Sequence, residues 1–382
     1  MKSRMQPRHY LSEAVFERER DRIFRRLWLF AGLKTMVAEH NDFITREVAG
    51  VPVVIQNFRG ELRAFENVCL HRSMRLQTAP AGRRPLVCGY HGWSYAVDGS
   101  ASHIPLHDEL YRFPAAERDA MRLRQFALRA VGNLLFVNLD PDPLPITDQF
   151  DQAFIDLMES SSSMYDTEVM TTTWHTRFNW KLGYENLRDG NHPRFVHPQS
   201  ITKNVVFVPL MDEALHAEVT PELDPSLDRT ARREILRRFS YGGAEGSFKN
   251  VVRYDWQQYV ERWGETDAYF NWLAYPNLHI ASSDGGFSFT IEHHVPVAPD
   301  RTDLEIYWMT ARKRQPYSFS GTVLLSLMHG SKLVVGEDVQ VMEEVQRGLH
   351  ADAPTPRQGD YEGLNKRVER WYVDLIDGDH EI

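Results

Sequence analysis

Cysteine is almost absent: only Cys69 and Cys88 occur in 382 residues. Both fall in one short motif, so no disulfide framework is expected, and such thiol economy fits a reducing cytoplasm. Long hydrophobic runs are also missing. No stretch of about 18 apolar residues appears, so no membrane span is expected. The first 26 residues are crowded with Arg and Glu and lack the apolar core of a secretory signal. Positive charge is in deficit, with 44 Lys and Arg against 53 Asp and Glu and a net charge of -9. That balance argues against nucleic acid or an anionic membrane as partner. No nucleotide or flavin fingerprint is present. Tyr241-Gly242-Gly243-Ala244-Glu245-Gly246 has the glycines of a phosphate cradle but neither the Lys-Ser/Thr nor the strand-helix frame, and reads as a surface loop or lid. Internal repeats and low-complexity segments are lacking too.

What remains is a globular composition, 42% hydrophobic and 25% charged, with length enough for two cores. Its most specific stretch is Cys69-Leu70-His71, a gap of 16 residues, then Cys88-Gly89-Tyr90-His91. Read as C-x-H-x16-C-x-x-H, it offers two thiolates and two imidazoles. A structural zinc could use such a set, but zinc fingers pair Cys with Cys and His with His, and here each short pair is mixed. A [2Fe–2S] cluster of the Rieske type takes two Cys on one iron and two His on the other, and that reading is preferred. Gly89, Gly92, Trp93 and Tyr95 beside the motif suit close backbone approach and hydrogen bonds to cluster sulfurs.

Along the chain, Ser12 is positioned to cap a helix whose apolar stripe is Val15, Phe16, Ile23, Phe24, Leu27 and Trp28. From about Ala38 the period changes to β. A hairpin turning at Arg59-Gly60 runs into Cys69, and Leu86-Val87 runs into Cys88, so both ligand pairs sit on loops after strands. A turn at Val97-Asp98-Gly99-Ser100 follows. The Pro-rich turn at 141–145 marks a domain boundary. The expected division is an N-terminal helical segment packing on the catalytic domain (1–36), a β-domain (37–145) and a catalytic domain (146–382). Within the last, 171–178, 253–256, 268–273, 279–281, 287–295 and 304–311 read as strands, 180–191 as a helix, and 317 onward as mostly helical.

A second constellation lies in that helix. Glu185, Asp189 and His192 are spaced i, i+4, i+7 and would share a helical face. Pro193 disturbs the backbone after His192, so the chain can double back and bring His197 to the same spot. Two His and one carboxylate on one face of an octahedron form the facial triad of non-haem Fe(II) oxygenases; the bland alternative is a pair of helix-end histidines. The carboxylate has to come from elsewhere. Asp338 is the choice, because it shares a stripe with Met342, Val345 and Leu349 and a lone buried carboxylate is costly unless paired or metal-bound. Glu337 is the reserve, while Glu343 and Glu344 read as solvated. His293 and His294 are adjacent on a strand and so face opposite sides; His103, His107, His279 and His329 read as structural.

With both constellations on the page, the chain resembles the catalytic α subunits of Rieske non-haem iron oxygenases. The likeness rests on Cys69 to Tyr95, Asn179-Trp180-Lys181, Glu185-Asn186-x-x-Asp189-x-x-His192-x4-His197, Tyr275 to Leu278, and Glu337-Asp338. It implies an α+β architecture: an N-terminal all-β Rieske [2Fe–2S] domain and a C-terminal helix-grip domain, a curved antiparallel sheet around a long helix. It implies mononuclear Fe(II) held by His192, His197 and Asp338, and a cluster held by Cys69, His71, Cys88 and His91. It gives Asp189 the role of bridging acid between His192 and His91 of a neighbouring subunit in a head-to-tail homotrimer, with a β subunit left open. Electrons would come from NAD(P)H through a separate reductase, with or without a ferredoxin. Respiratory-complex Rieske proteins carry an extra Cys pair that is missing here.

O₂ and a small organic substrate complete the expected reaction. The catalytic half is rich in Phe, Trp and Tyr, which suits an aromatic substrate, but the metal ligands are common to dihydroxylation, monohydroxylation and demethylation. The competing readings are a Rieske electron carrier, which would need only the first 110 or so residues, and a zinc-stabilised binding module.

Overall fold

A computed structural model describes residues 2–201, 203, 205–207, 228–249, 251–351, 354–359, 362–378 and 382. The chain divides into two compact units, Phe24–Leu144 and Met1–Ile23 with Pro145–Ile382.

In the first unit the strands are β1 (Leu29–Leu33), β2 (Asp42–Val48), β3 (Val51–Phe58), β4 (Glu61–Glu66), β5 (Ala81–Arg83), β6 (Ser94–Tyr95), β7 (Ala101–His103), β8 (Gln125–Val131) and β9 (Leu134–Asn138). Seven form an antiparallel sheet in the order β1-β9-β8-β4-β3-β2-β5, and β6 pairs with β7. The β3–β4 hairpin is tight because Arg59 and Gly60 both take positive φ, 57° and 95°, which a two-residue primed turn requires. Gly99, at φ 78°, lets the β6–β7 ribbon lie on Phe65, whose Cε1 a Cβ would approach to 3.0 Å. One boundary differs from expectation. Residues 24–36 group with this β-unit, because the wholly buried β1 pairs with β9.

In the second unit a short helical turn at Arg8–Leu11 precedes α1 (Glu13–Glu19), which stops short of the helix expected to continue through Trp28 and passes into one wide turn, Arg20–Phe24. Ser12 stands at its N-terminus without a side-chain capping bond. Val15, Phe16 and Ile23 are buried as the stripe predicts, but so is Glu19. Its carboxylate accepts from the Trp180 indole at 2.9 Å and from Lys181 and Tyr372.

The unit's sheet contains β10 (Met170–Thr176), β11 (Val205–Phe207), β12 (Tyr241–Phe248), β13 (Ala268–Ala274), β14 (Leu278–Ser282), β15 (Ser288–Ala298) and β16 (Arg301–Thr310). They are ordered β10-β16-β15-β14-β13-β12-β11, all antiparallel. The expected loop at 241–246 is thus the strand β12. Its glycines admit a close neighbour there, since a Cβ on Gly242 would lie 3.3 Å from the Arg188 guanidinium. Conversely, 253–256 is no strand. The Gln257 side chain accepts the Tyr254 N–H at 3.1 Å and closes a short 3₁₀ turn over Asp255–Tyr259.

The other helices used below are α2 (Gln152–Ser162), α3 (Trp180–Arg188), α4 (Pro193–Val196), α5 (Arg229–Phe239), α6 (Ser320–Leu349) and α7 (Gly363–Asp377). The long α6 lies against the sheet, with Val335 packed among Leu304, Ile306 and Trp308. At the start of α3, Asn179 accepts the Lys181 N–H at 3.0 Å as its cap and donates to the Pro299 carbonyl at 2.6 Å, which pins the helix to the turn between β15 and β16. Among the described residues no helix is long and apolar enough to cross a membrane.

Candidate metal centres

The first centre is built from two loops of the same conformation. In one, the Cys69 N–H donates to the Met74 carbonyl and the Ser73 N–H to that of Cys69; in the other, Cys88 N–H donates to Trp93 and Gly92 N–H to Cys88. Ser73 and Gly92 occupy the equivalent left-handed position, at φ 55° and 74°. Each loop therefore presents a buried thiol and, two or three residues on, a half-exposed imidazole. The His71 and His91 Nδ1 atoms meet at 3.1 Å, and Trp93 stacks on His71 at 5.1 Å. The Tyr95 hydroxyl accepts the Leu70 N–H at 3.0 Å and stands 3.2 Å from Cys69 Sγ, where it would donate its proton to an ionised, ligating sulfur. Burial raises the Cys69 thiol, and the adjacent Cys88 adds to this. A thiol in this setting keeps its proton unless a metal displaces it. The four donors do not suit one tetrahedral ion. Among the described residues His192, His197 and Asp338 alone form a set of three or more whose donor atoms all lie within 4.8 Å of one another, so the Cys/His set is spread more widely. Two buried thiols and two imidazole nitrogens that meet at 3.1 Å match the donor set of a two-iron cluster.

The second centre departs from the expected helix geometry in an informative way. α3 ends at Arg188, and Asp189 is extended at φ -87°, ψ 100°. The Asp189 carboxylate accepts the Asn191 N–H at 2.8 Å, a local turn that competes with helix. Glu185, Asp189 and His192 therefore share no helical face. Glu185 points elsewhere, accepting from the Tyr10 hydroxyl at 2.6 Å. Instead, His192 and His197 bracket the single turn of α4 that begins at Pro193, and this brings their rings to 5.3 Å.

Asp338 of α6 completes the set. Its Oδ1 lies 3.0 Å from His197 Nε2 and 3.5 Å from His192 Nε2, and it accepts from the Asn186 amide at 2.9 Å. Both Nδ1 atoms are occupied on the far sides of the rings. His192 Nδ1 donates to the Asp189 main-chain carbonyl at 2.6 Å, and His197 Nδ1 faces Glu337 Oε2 at 2.7 Å. With Nδ1 protonated, each Nε2 directs a lone pair to a common point, as a metal requires. Burial lowers the His192 pKa. For His197 burial acts the same way but is outweighed by Asp338 and Glu337, so its pKa rises. Glu337, the reserve ligand, thus stands behind His197, and the Ser200 hydroxyl donates to the same oxygen at 2.6 Å. The argument that led to Asp338 needs one correction: Val345 is exposed, and the buried stripe of α6 is Val335, Met342, Gln346 and Leu349.

Two family models match. The Rieske [2Fe-2S] domain covers residues 28–114, and the ring hydroxylating alpha subunit (catalytic domain) covers 165–378. The chain belongs to the ring-hydroxylating alpha-subunit family. This Rieske protein is similar to the carnitine monooxygenase oxygenase subunit of Escherichia coli (strain K12), 28% identical over 194 residues, 50% of this chain and 51% of that one. It is similar also to the biphenyl 2,3-dioxygenase subunit alpha of Rhodococcus jostii (strain RHA1), 30% identical over 187 residues, 48% and 40% of the two chains. The chain spans about half the length of the curated relatives it matches. A solved quaternary ammonium Rieske monooxygenase shares the fold at TM-score 0.72 and 19% identity, over 97% of this chain and 95% of the other. Naphthalene 1,2-dioxygenase from Rhodococcus sp. does so at 0.68 and 17%, over 98% and 95%. The family carries a Rieske cluster in its first domain and a mononuclear non-haem iron in its catalytic domain.

The remaining histidines fall as the strand pattern predicts. His293 turns to Glu305 at 3.1 Å, whereas His294 faces the other way, toward Gly183. What sequence reasoning missed is Glu337 as a partner of His197 and the burial of His279 beside Glu292. The first could have been found from the Ser200 and Glu337 hydroxyl-carboxylate pairing only with the fold in hand; the second is set by strand register.

Proposed function

We propose that this chain is the oxygenase component of a Rieske-type system that hydroxylates, dihydroxylates or oxidatively demethylates a small organic substrate. O₂ is the co-substrate, and electrons originate from NAD(P)H through a separate reductase, directly or by way of a ferredoxin. Cys69, His71, Cys88 and His91 hold the [2Fe–2S] cluster, and His192, His197 and Asp338 hold Fe(II). The observation that carries the reading is the presence in one chain of a mixed Cys/His quartet and a two-His, one-carboxylate trio within 4.8 Å.

When bound, the cluster supplies electrons one at a time and the iron supplies a place where O₂ is reduced beside the substrate. The chain's own contribution is orientation. The Asp189 carbonyl and the Glu337 carboxylate hold the two Nδ1 protons, and Asn186 restrains Asp338, so the three donors are fixed toward one another. On the Rieske unit, Leu70 and Tyr90 are exposed beside the two imidazoles. We place the chain in a head-to-tail homotrimer in which Asp189 of one copy faces His91 of the next. Support comes from a solved relative described in terms of inter-subunit electron transfer. The unit Phe24–Leu144 then receives electrons, and the unit built on Pro145–Ile382 hosts the oxygen chemistry.

The test is metal and acid-labile sulfide content of anaerobically purified protein, with an EPR spectrum after dithionite reduction. About three irons and two sulfides per chain are expected, with the anisotropic signal of a His-ligated cluster. About two irons, unchanged after Fe(II) reconstitution, would convert the reading to an electron carrier. Zinc without sulfide would overturn it.

A further inference from the structure

The sheet face that looks toward α6 changes character along its width. At the β16 side, Leu304, Ile306 and Trp308 make an apolar contact with the helix. The pairing register carries the same face to Glu292 and His294 of β15, opposite Ile306 and Leu304, and to His279 of β14, opposite Glu292. The side chains of His279 and His294 are 4% and 7% exposed, and that of Glu292 14%. The carboxylate lies 3.3 Å from His279 Nδ1 and 3.8 Å from His294 Nε2. Neither approach is an oriented hydrogen bond, and all four ring nitrogens are buried without a hydrogen-bond partner. Buried polar atoms are nearly always paired, so four orphans at one place call for a ligand.

The cluster adjoins the iron site. A Cβ on Gly183 of α3 would lie 2.7 Å from His294 Cε1, and Asn186, one turn along the same helix face, donates to Asp338. On β13 the Tyr269 hydroxyl is pushed up to about 12 by burial and by the carboxylates of both Glu292 and Asp338. Among the described residues, the register places no Lys or Arg of the strands on this face, and the lysine that approaches it, Lys332 of α6, lies over Trp174 at the β10 side. Arg188, which approaches Gly242 from α3, is bonded to the Tyr184 hydroxyl and the Phe239 carbonyl.

We propose that Glu292, set between His279 and His294, is the polar anchor of the substrate pocket, and that the substrate carries a protonated amine which docks on it. The inference rests on the oxygenase reading and narrows its substrate to N–H-bearing cations. An ammonium N–H donates to the carboxylate and to the one unprotonated nitrogen that each neutral imidazole offers, and so partners two of the four orphans. An anion would face a buried carboxylate with no fixed counter-charge, and a hydrocarbon would leave the ring nitrogens unpaired.

The experiment is anaerobic calorimetric titration of the iron-loaded protein with benzylamine, benzyl alcohol and benzoate, probes of one size and three charges. Benzylamine is expected to bind at least about tenfold more tightly than either other probe, as a charge-assisted bond requires. Glu292→Gln is expected to remove that preference while iron and sulfide content stay unchanged. Absent benzylamine binding, benzoate binding as tight, or a preference that survives Glu292→Gln overturns the proposal. The wild-type comparison decides even if the variant fails to fold. A missing cluster or iron in the same sample would count against the oxygenase reading alone, because the titration reads charge preference independently.

Discussion

His197 and Glu337 stand 2.7 Å apart, imidazole Nδ1 to carboxylate Oε2, on the side of the ring opposite Asp338. The carboxylate fixes the tautomer and the ring plane, so on the proposed reading Glu337 would act on a bound metal through His197. Glu337→Gln is expected to weaken Fe(II) affinity by about 10- to 100-fold, the usual effect of losing such a partner. Asp338→Ala, which removes a donor of the trio, is expected to abolish stoichiometric binding. Fe(II) competition against a chelator, with cluster absorbance as the control, separates the two. Equal losses would make Glu337 a ligand.

The Tyr95 hydroxyl stands 3.2 Å from Cys69 Sγ, placed to donate to the sulfur once it is ionised. A hydrogen bond to a ligating sulfur stabilises the extra negative charge of the reduced cluster, so Tyr95→Phe is expected to lower the midpoint potential. A redox titration followed by circular dichroism checks it, and an unchanged potential would show that the proton goes elsewhere.

Glu185 is half-buried, and desolvation, with Glu369 adding to it, pushes its carboxyl up to about 8 against the Tyr10 hydrogen bond. The folded protein keeps this proton through a range where the unfolded chain, with a Glu pKa near 4.3, has lost it. Stability from this group is therefore fully present below about pH 4.5 and is lost as pH rises toward 8, by on the order of 3 kcal/mol. Urea midpoints at pH 5, 6.5 and 8 are expected to fall, and Glu185→Gln to flatten most of the slope. Glu369, also raised by burial, accounts for a remainder.

Lys181 is buried against Glu19, with the Trp180 indole and Tyr372 hydroxyl on the same carboxylate. Lys181→Met leaves Glu19 as an uncompensated buried charge and is expected to cost about 3–5 kcal/mol. The double variant with Glu19→Gln should recover much of that, measured by denaturant unfolding. If it recovers nothing, packing of the lysine stem outweighs its charge.

Both candidate donor clusters were legible wherever the donors are close in the chain. Cys69 with His71, Cys88 with His91, and His192 with His197 are each held by one turn of backbone, so spacing alone limits where the side chains go. Asp338 was reachable because a carboxylate on a largely apolar helix needs a reason, although Val345, one of its supposed stripe partners, proved exposed. The helix expected through Asn191 failed for a local reason, the Asp189 turn, that composition does not reveal.

By itself the sequence determined the chemistry: two thiols and two imidazoles at fixed short separations, a second pair of imidazoles around Pro193, and no surplus cysteine or nucleotide-binding loop. Tertiary structure alone decided what surrounds them. That β1 joins β9, that a Gly-rich stretch is the strand β12, that Glu337 backs His197, and that His279, Glu292 and His294 meet on one face all depend on pairing between distant segments. Sheet register is set by which whole faces are buried together, and a slip of one residue would turn every one of those side chains to the opposite side.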